Sequence, residues 1–284
     1  MARLPGSTRG PLSQAEQLHP KIIQMPDVKT IRQIKSPKHS SARLRASITA
    51  TAGRSNIRPV DSGLVSVALD KFRHGQEFVQ PLGNRGKGYL IAKRLFDIVG
   101  ALFLIVLLGP IMLAALVILT VTAKGRPLFF QERIGFCGRR FRMIKFRTMR
   151  LDADRMQHAV ANEKDGPIFK NRRDPRVTRI GRILRATSID EMPQLFNVLV
   201  GSMSLVGPRP PVAKEAIQYE PWQRRRLAVK PGLTCLWQIS GRSEIQFEHW
   251  VRMDLWYLQN QSFSTDLKLL LRTPASVISG RGAY

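Results

Sequence analysis

Cysteine is scarce in this chain: Cys137 and Cys235 are the only two in 284 residues. They form no Cys-x-x-Cys pair, which excludes a disulfide-dense secreted scaffold and a cysteine zinc site and leaves two reduced packing thiols as the expectation. Histidine is equally thin, with five scattered residues and no His-x-x-x-His pair for a metal. No Gly-x-Ser-x-Gly elbow marks a serine hydrolase. The opening MARLPGSTRGPLSQ lacks an apolar core, so no cleavable signal peptide is expected. Acidic residues are the last shortage: 20 Asp and Glu face 46 Lys and Arg, a formal balance of +26. With 43% apolar residues the chain is no disordered polycation, yet the balance implies an anionic partner. Nucleic acid, an anionic membrane surface and a phosphorylated substrate all fit, and position along the chain must choose.

Residues 1–88 hold 7 Pro, 8 Gly and 9 Ser, with 15 basic against 5 acidic residues and no sustained apolar period. That predicts a basic, largely disordered extension. Gly83-Asn-Arg-Gly-Lys-Gly88 fits neither nucleotide-loop spacing and reads as a hinge. From Leu95 to Ala123 the character changes, because 29 residues carry one charge, Asp97. A straight helix of that length reaches ~44 Å, more than the ~30 Å hydrocarbon core. Gly109-Pro110 at its centre predicts a break into two half-helices of about 21 Å, neither long enough to span. Both flanks are basic, with Lys87, Lys93 and Arg94 before and Lys124, Arg126 and Arg133 after. The positive-inside rule then keeps both ends cytoplasmic, giving a re-entrant helix over 89–126 that dips into one leaflet. A spanning helix with a proline kink is the alternative. Asp97 is within helical reach of Lys93 or Arg94 near the headgroups and is assigned a structural role.

Beyond this segment, the β-compatible runs Leu128–Ile134 and Phe141–Phe146 around Gly135-Phe-Cys-Gly138 predict a small hairpin. Residues 133–185 carry 16 basic and 5 acidic side chains, a charge suited to headgroups or to anionic substrates at the membrane plane. No zinc finger, basic zipper or aromatic RNA-binding pattern accompanies it, so nucleic acid is not an expected partner. The most informative stretch is LRATSIDEMPQLFNVLVGSMSLVGPRPP, residues 184–211. Ser188-x-x-Glu191 fits a capping box, with Asp190 complementing the helix dipole, although Pro193 suits a start nearer Asp190 better. Either start places both carboxylates at a helix N-terminus, where an ionised aspartate is a competent nucleophile toward phosphorus. Attack on a phosphorylated substrate also needs its charge neutralised, by Mg²⁺ on carboxylate and phosphate oxygens and by arginines. Arg182, Arg185 and Arg209 are the candidates. Prolines on both sides of Arg209 either fix its guanidinium toward a phosphate or merely build a rigid turn.

KRLFD (93–97), the Pro-broken apolar segment, KFRTM (145–149), the 184–211 block, VKPGLTCLWQISGR (229–242) and the terminal SGRGAY together carry a family resemblance. Over about residues 89–284 the chain resembles the bacterial sugar transferases, also called monotopic phosphoglycosyl transferases or polyprenyl-phosphate sugar-1-phosphate transferases. The resemblance implies transfer of a sugar 1-phosphate from a UDP-sugar to undecaprenyl phosphate with release of UMP, the initiating step of exopolysaccharide or another lipid-linked glycan. It implies Asp190 as the nucleophile of a covalent phosphosugar intermediate and Glu191 as its partner in Mg²⁺ binding and activation. Arg209 resembles the family's phosphate-binding arginine, with Arg185, Lys145 and Arg147 as further substrate-binding candidates. Gly109-Pro110 fills the place of the family's usual Ser-Pro membrane break. Cys235 departs from the family, whose PGLTG motif usually has Gly there, and a thiol is expected to crowd or reorient that loop.

The whole reads as an α+β, helix-dominated catalytic domain over 127–284 on a re-entrant anchor, at the cytoplasmic face of the inner membrane. UDP-sugar, undecaprenyl phosphate and membrane lipid are its expected partners, Mg²⁺ its cofactor, and a homo-oligomer is left open. Two rivals stand beside this reading. One is a membrane-bound, metal-dependent glycosyltransferase that moves sugar alone and releases UDP, with Asp152-Ala-Asp154 as its metal motif. The other is a non-enzymatic membrane adaptor with a basic face. Phe247, Trp250, Val251, Leu255, Trp256 and Leu258, then Leu267 to Leu271, form amphipathic stretches that fit a membrane seat and core packing equally well.

Overall fold

The computed structural model describes residues 86–279 apart from 157, 159, 164 and 165, together with residue 282. The expected basic extension lies, through residue 85, outside the described residues, as does most of the terminal SGRGAY. The first element is α1, Lys87–Thr122, whose apolar run makes it the one helix among the described residues long and apolar enough to cross a membrane. Its 36 residues amount to roughly 54 Å at the usual rise. The helix continues through Gly109-Pro110, where two separate half-helices were expected. Proline removes a single N–H from the ladder, and the turns on either side keep the helix going. Lys124 and Gly125 then enter left-handed backbone, and Gly125 N–H bonds Thr120 O at 2.8 Å, ending α1.

Strands β1 (Leu128–Ile134) and β2 (Arg140–Phe146) form the expected antiparallel hairpin, in register from Leu128 opposite Phe146 to Ile134 opposite Arg140. Its turn needs positive φ at Cys137 and Gly138. Next come α2 (Arg179–Ala186), a 3₁₀ turn at Ile189–Glu191, α3 (Gln194–Val200) and β3 (Ser204–Val206). The short helices α4 (Ala213–Ala216) and α5 (Pro221–Arg224) lead to β4 (Gly232–Thr234), which pairs in parallel with β3. Helices α6 (Leu236–Ser240), α7 (Phe247–Asn260) and α8 (Phe263–Ser279) complete a helix-dominated domain whose described sheets have two strands each. Backbones meet closely where β3 and β4 begin their loops: a Cβ on Gly232 would lie 2.0 Å from Gly207 N. Only glycine fits at that crossing.

The main core gathers Ile168, Tyr219, Cys235, Trp237, Phe247, Trp250 and Val251. Helix α7 turns Phe247, Trp250, Val251, Asp254, Tyr257 and Leu258 inward at helical spacing, so this Trp-rich stretch is core. Helix α8 differs, since Leu269 is buried while Phe263, Leu267, Leu271 and Ile278 lie exposed along one face. Cys235 belongs to the main core. Its backbone is extended, φ −148°, and its buried thiol donates to Gln238 Oε1 at 2.9 Å.

Helix α1 docks by a polar foot. Asp97 is buried rather than held at the headgroups, and its Oδ1 lies 2.8 Å from Lys93 Nζ. The same oxygen accepts from Ser204 Oγ at 3.0 Å and from Leu205 N–H at 3.1 Å, both on β3. Lys93 also pairs with Asp266 Oδ2 of α8 at 2.9 Å, and the Tyr257 hydroxyl lies 2.8 Å from Asp266 Oδ1. Arg94 donates to Val198 O at 2.6 Å and Leu199 O at 2.5 Å, placing a cation on the negative end of α3. Farther along, Ala115 and Leu119 of α1 pack on Phe146 and Leu184.

Candidate active site

The Asp190-Glu191 pair stands in the 3₁₀ turn between α2 and α3, not in the first turn of an α-helix. The capping box does not form. Ser188 adopts left-handed backbone, φ 56°, with no side-chain cap, and Pro193 is the residue that starts α3. A serine cap needs extended backbone, which this chain reversal denies it. The turn delivers both carboxylates into an open cleft of about 390 Å³.

Three elements hold the pair against its cations. Lys145 comes from β2 and donates to Glu191 Oε1 at 2.7 Å; Arg209, after β3, donates to the same oxygen at 3.2 Å. Helix α3 is fixed to β2 by Asn197, whose Oδ1 accepts from Ile144 N–H at 2.9 Å while its Nδ2 donates to Arg142 O at 2.8 Å. The Gly207-Pro-Arg-Pro-Pro211 turn is tied at each carbonyl from Pro208 to Pro211. Gly232 N–H reaches Pro208 O and Ile134 N–H reaches Pro211 O. Arg226 Nη2 donates to Arg209 O and Arg133 Nη1 to Pro210 O, each at 3.0 Å. Arg226 is itself fully buried and ion-paired with Asp254 at 2.6 Å. With its main chain bound in this way, Arg209 has only its side chain left to move.

Electrostatics separate the two carboxylates. Burial favours the neutral form of both. At Glu191 the Lys145 and Arg209 cations outweigh that penalty and hold the carboxyl well below the usual range. At Asp190 burial wins, with the Glu191 charge adding to it against Lys145, and the pKa is pushed up to about 6. No hydrogen-bond partner engages the Asp190 carboxylate among the described residues, although the residue is only 8% exposed. A nearly buried carboxylate without a hydrogen-bond partner is unusual in a folded protein and marks Asp190 as the candidate ligand-binding group.

Cations surround the pair in excess. Arg185 of α2 donates to Thr148 Oγ1 at 3.0 Å and interacts with Asp190. Arg133, pushed down to about 10 by burial and then by Arg209, and Arg242, lowered mainly by burial, line the same cleft. Sequence reasoning did not single out Arg133, Asn197, Arg226 or Arg242 for the site; charged or amide side chains inside apolar flanks were the available signal. Arg147 borders the cleft but turns its guanidinium to Arg126 O and Leu128 O, and it faces the Phe129 ring rather than the dyad. Arg182 is exposed and does not line the cleft. Asp152 and Asp154 border different cavities: Asp152 pairs with Arg150 at 3.1 Å and lines a second cavity, while Asp154 lines the cleft of the acidic pair.

The donor set suits Mg²⁺ brought in with phosphates. No cluster of three metal-ligating side chains occurs among the described residues. Magnesium needs less than that from protein: one or two carboxylates, with substrate phosphate oxygens and waters completing its shell. Asp190 and Glu191, neighbours in the 3₁₀ turn, are the carboxylates that could supply that share.

The family described as bacterial sugar transferase matches residues 88–280. The galactosyl transferase CpsE of Streptococcus agalactiae is 45% identical over 199 residues, covering 69% of this chain and 44% of that protein. The undecaprenyl-phosphate galactose phosphotransferase of Salmonella typhimurium is 39% identical over 213 residues, 72% of this chain and 43% of that protein. The exopolysaccharide production protein ExoY of Sinorhizobium fredii is 37% identical over 212 residues, and there the match covers 91% of the relative. The matched region thus spans less than half the length of the first two relatives and nearly all of the third.

Proposed function

Because the chain belongs to the bacterial sugar transferase family, we propose that it moves a sugar 1-phosphate from a UDP-sugar to undecaprenyl phosphate in two steps through Asp190. The observation that carries this reading is the division within the dyad: Glu191 locked as an anion by Lys145 and Arg209, and Asp190 left unpartnered in a cationic cleft.

In the first step an Asp190 carboxylate oxygen attacks the sugar-bearing phosphorus. The bond from that phosphorus to the bridging oxygen breaks, and UMP leaves with the oxygen and its electron pair. In the second step a phosphate oxygen of the acceptor attacks the same phosphorus and returns Asp190 as a carboxylate, leaving the sugar on a lipid diphosphate. A carboxylate with a raised pKa is the more basic nucleophile once ionised. Arg209, Arg185, Lys145 and Arg242 gather the pyrophosphate and meet charge developing on the equatorial oxygens, the main contribution protein makes to phosphoryl transfer. Asp190 and Glu191 would hold Mg²⁺, which would supply neutralisation of the phosphate charge. The names of the relatives, which include a UDP-glucose:undecaprenyl-phosphate glucose-1-phosphate transferase of Caulobacter vibrioides, support the substrate class, and exopolysaccharide initiation is the corresponding role.

The same reading seats the protein monotopically on the inner membrane with its cleft on the cytoplasmic face. Supporting it are the basic flanks of α1, the outward apolar side chains of that helix and the exposed apolar face of α8. The re-entrant path asks α1 to bend at Gly109-Pro110 within the bilayer. A glycosyltransferase moving sugar alone through Asp152-Ala-Asp154 is disfavoured because the two carboxylates line different cavities.

The test is incubation with undecaprenyl phosphate, Mg²⁺ and a panel of UDP-sugars. UMP release that depends on Asp190 is expected, with a phosphosugar adduct on Asp190 when acceptor is withheld. Release of UDP, or unchanged transfer by Asp190→Asn, would overturn the reading.

A further inference from the structure

A second cavity of about 420 Å³ opens where α1 ends. Its apolar wall is made by Leu119 of the last turn of α1, by Met149 and Leu151 after β2, and by Ile180 of α2. Leu151 is nearly half exposed there, an apolar side chain without cover. Lys124 and Arg179 line the same cavity, both exposed, and neither pairs with a carboxylate among the described residues. Asp152, the one acid in its wall, is already taken by Arg150.

What separates this cavity from a generic headgroup patch is its shared wall. Arg147, Met149, Arg150 and Leu151 border both it and the catalytic cleft. Arg147 is held in that wall by Arg126 O and Leu128 O, and burial and then the Arg126 charge lower its pKa, so an arriving anion relieves repulsion. An apolar recess at the end of a membrane-length helix, rimmed by cations and adjoining the site of phosphoryl transfer, matches one ligand chemistry: a hydrocarbon chain carrying a phosphate monoester.

We propose that this cavity seats the phosphate-proximal isoprenoid chain of a polyprenyl monophosphate acceptor, and that Lys124, Arg179 and Arg147 guide its phosphate across the shared wall toward Asp190. The proposal rests on the two-step reading above and adds to it a place for the second substrate. It also gives Arg147 a role away from the dyad.

The experiment compares the full chain with Lys124→Gln/Arg179→Gln, both in neutral detergent free of anionic lipid. The KM for undecaprenyl phosphate is expected to rise about tenfold, while the KM for the UDP-sugar and single-turnover UMP release without acceptor stay within twofold. A second variant, Leu151→Gln, probes the apolar wall with farnesyl phosphate as a short acceptor, and a several-fold rise in its KM is expected. An unchanged acceptor KM in both variants overturns the proposal. So does a double variant whose only defect is weaker association with phosphatidylglycerol vesicles, since that marks a headgroup site. Wild-type protein that releases no UMP from any UDP-sugar counts against the two-step reading itself, and so separates the two failures.

Discussion

Asp190 is costly to hold ionised, and that cost yields a prediction distinct from loss of activity. Its folded pKa is raised from 3.8 to about 6, so proton binding favours the folded state. The stability this group contributes is full below pH 3.8 and is lost as pH rises through 6. Asp190→Asn is therefore expected to abolish transfer and yet raise Tm at pH 7 by roughly 2–4 °C per kcal/mol recovered. Thermal melts in chelator from pH 4 to 8 check this, and the advantage should shrink toward pH 4. A lower Tm at pH 7 would mean that Asp190 serves folding rather than chemistry. At this scale the sequence showed the acidic pair standing in basic surroundings and Arg209 between prolines. It could not show Arg133 and Arg226, because their partners in the 208–211 turn are main-chain carbonyls, which have no letter in the sequence.

Among the elements, the hairpin was legible to within one residue because alternating apolar side chains and a Gly-bounded turn specify it locally. The start of α3 was not, since the left-handed Ser188 that breaks the capping box is imposed by the chain reversal around it. Asn197 joins α3 to β2 through two hydrogen bonds to main chain. Asn197→Ala leaves a part-buried N–H and C=O without their partner, which should cost about 1–2 kcal/mol. Because Lys145 and Glu191 sit on the two sides of that joint, kcat should fall further than the melting shift alone implies, as assayed well below Tm. For α1 the expectation concerns topology: single cysteines before Lys93 and after Lys124 should both resist a membrane-impermeant periplasmic reagent. Labelling at one end would establish a spanning helix instead.

For the molecule as a whole, the +26 balance divides by place. Residues 93–284 carry 31 basic and 15 acidic side chains, and part of that excess lines the cleft of Asp190 and the cavity beside it. Composition announced an anionic partner. The fold gathers cations along the cleft of Asp190 and the cavity beside it, an arrangement built from loops distant in sequence and so invisible in it. The foot of α1 carries one more consequence. Lys93, Asp97 and Ser204 join the membrane helix to the strand that runs straight into Gly207-Pro-Arg209, with no flexible linker between them. Tilt of the helix is therefore expected to reach the arginine that holds Glu191, and turnover is expected to depend on bilayer thickness. Turnover in nanodiscs of short, medium and long acyl chains should pass through an optimum, and Asp97→Asn should flatten it; the chain would then act as a gauge of the membrane it works on.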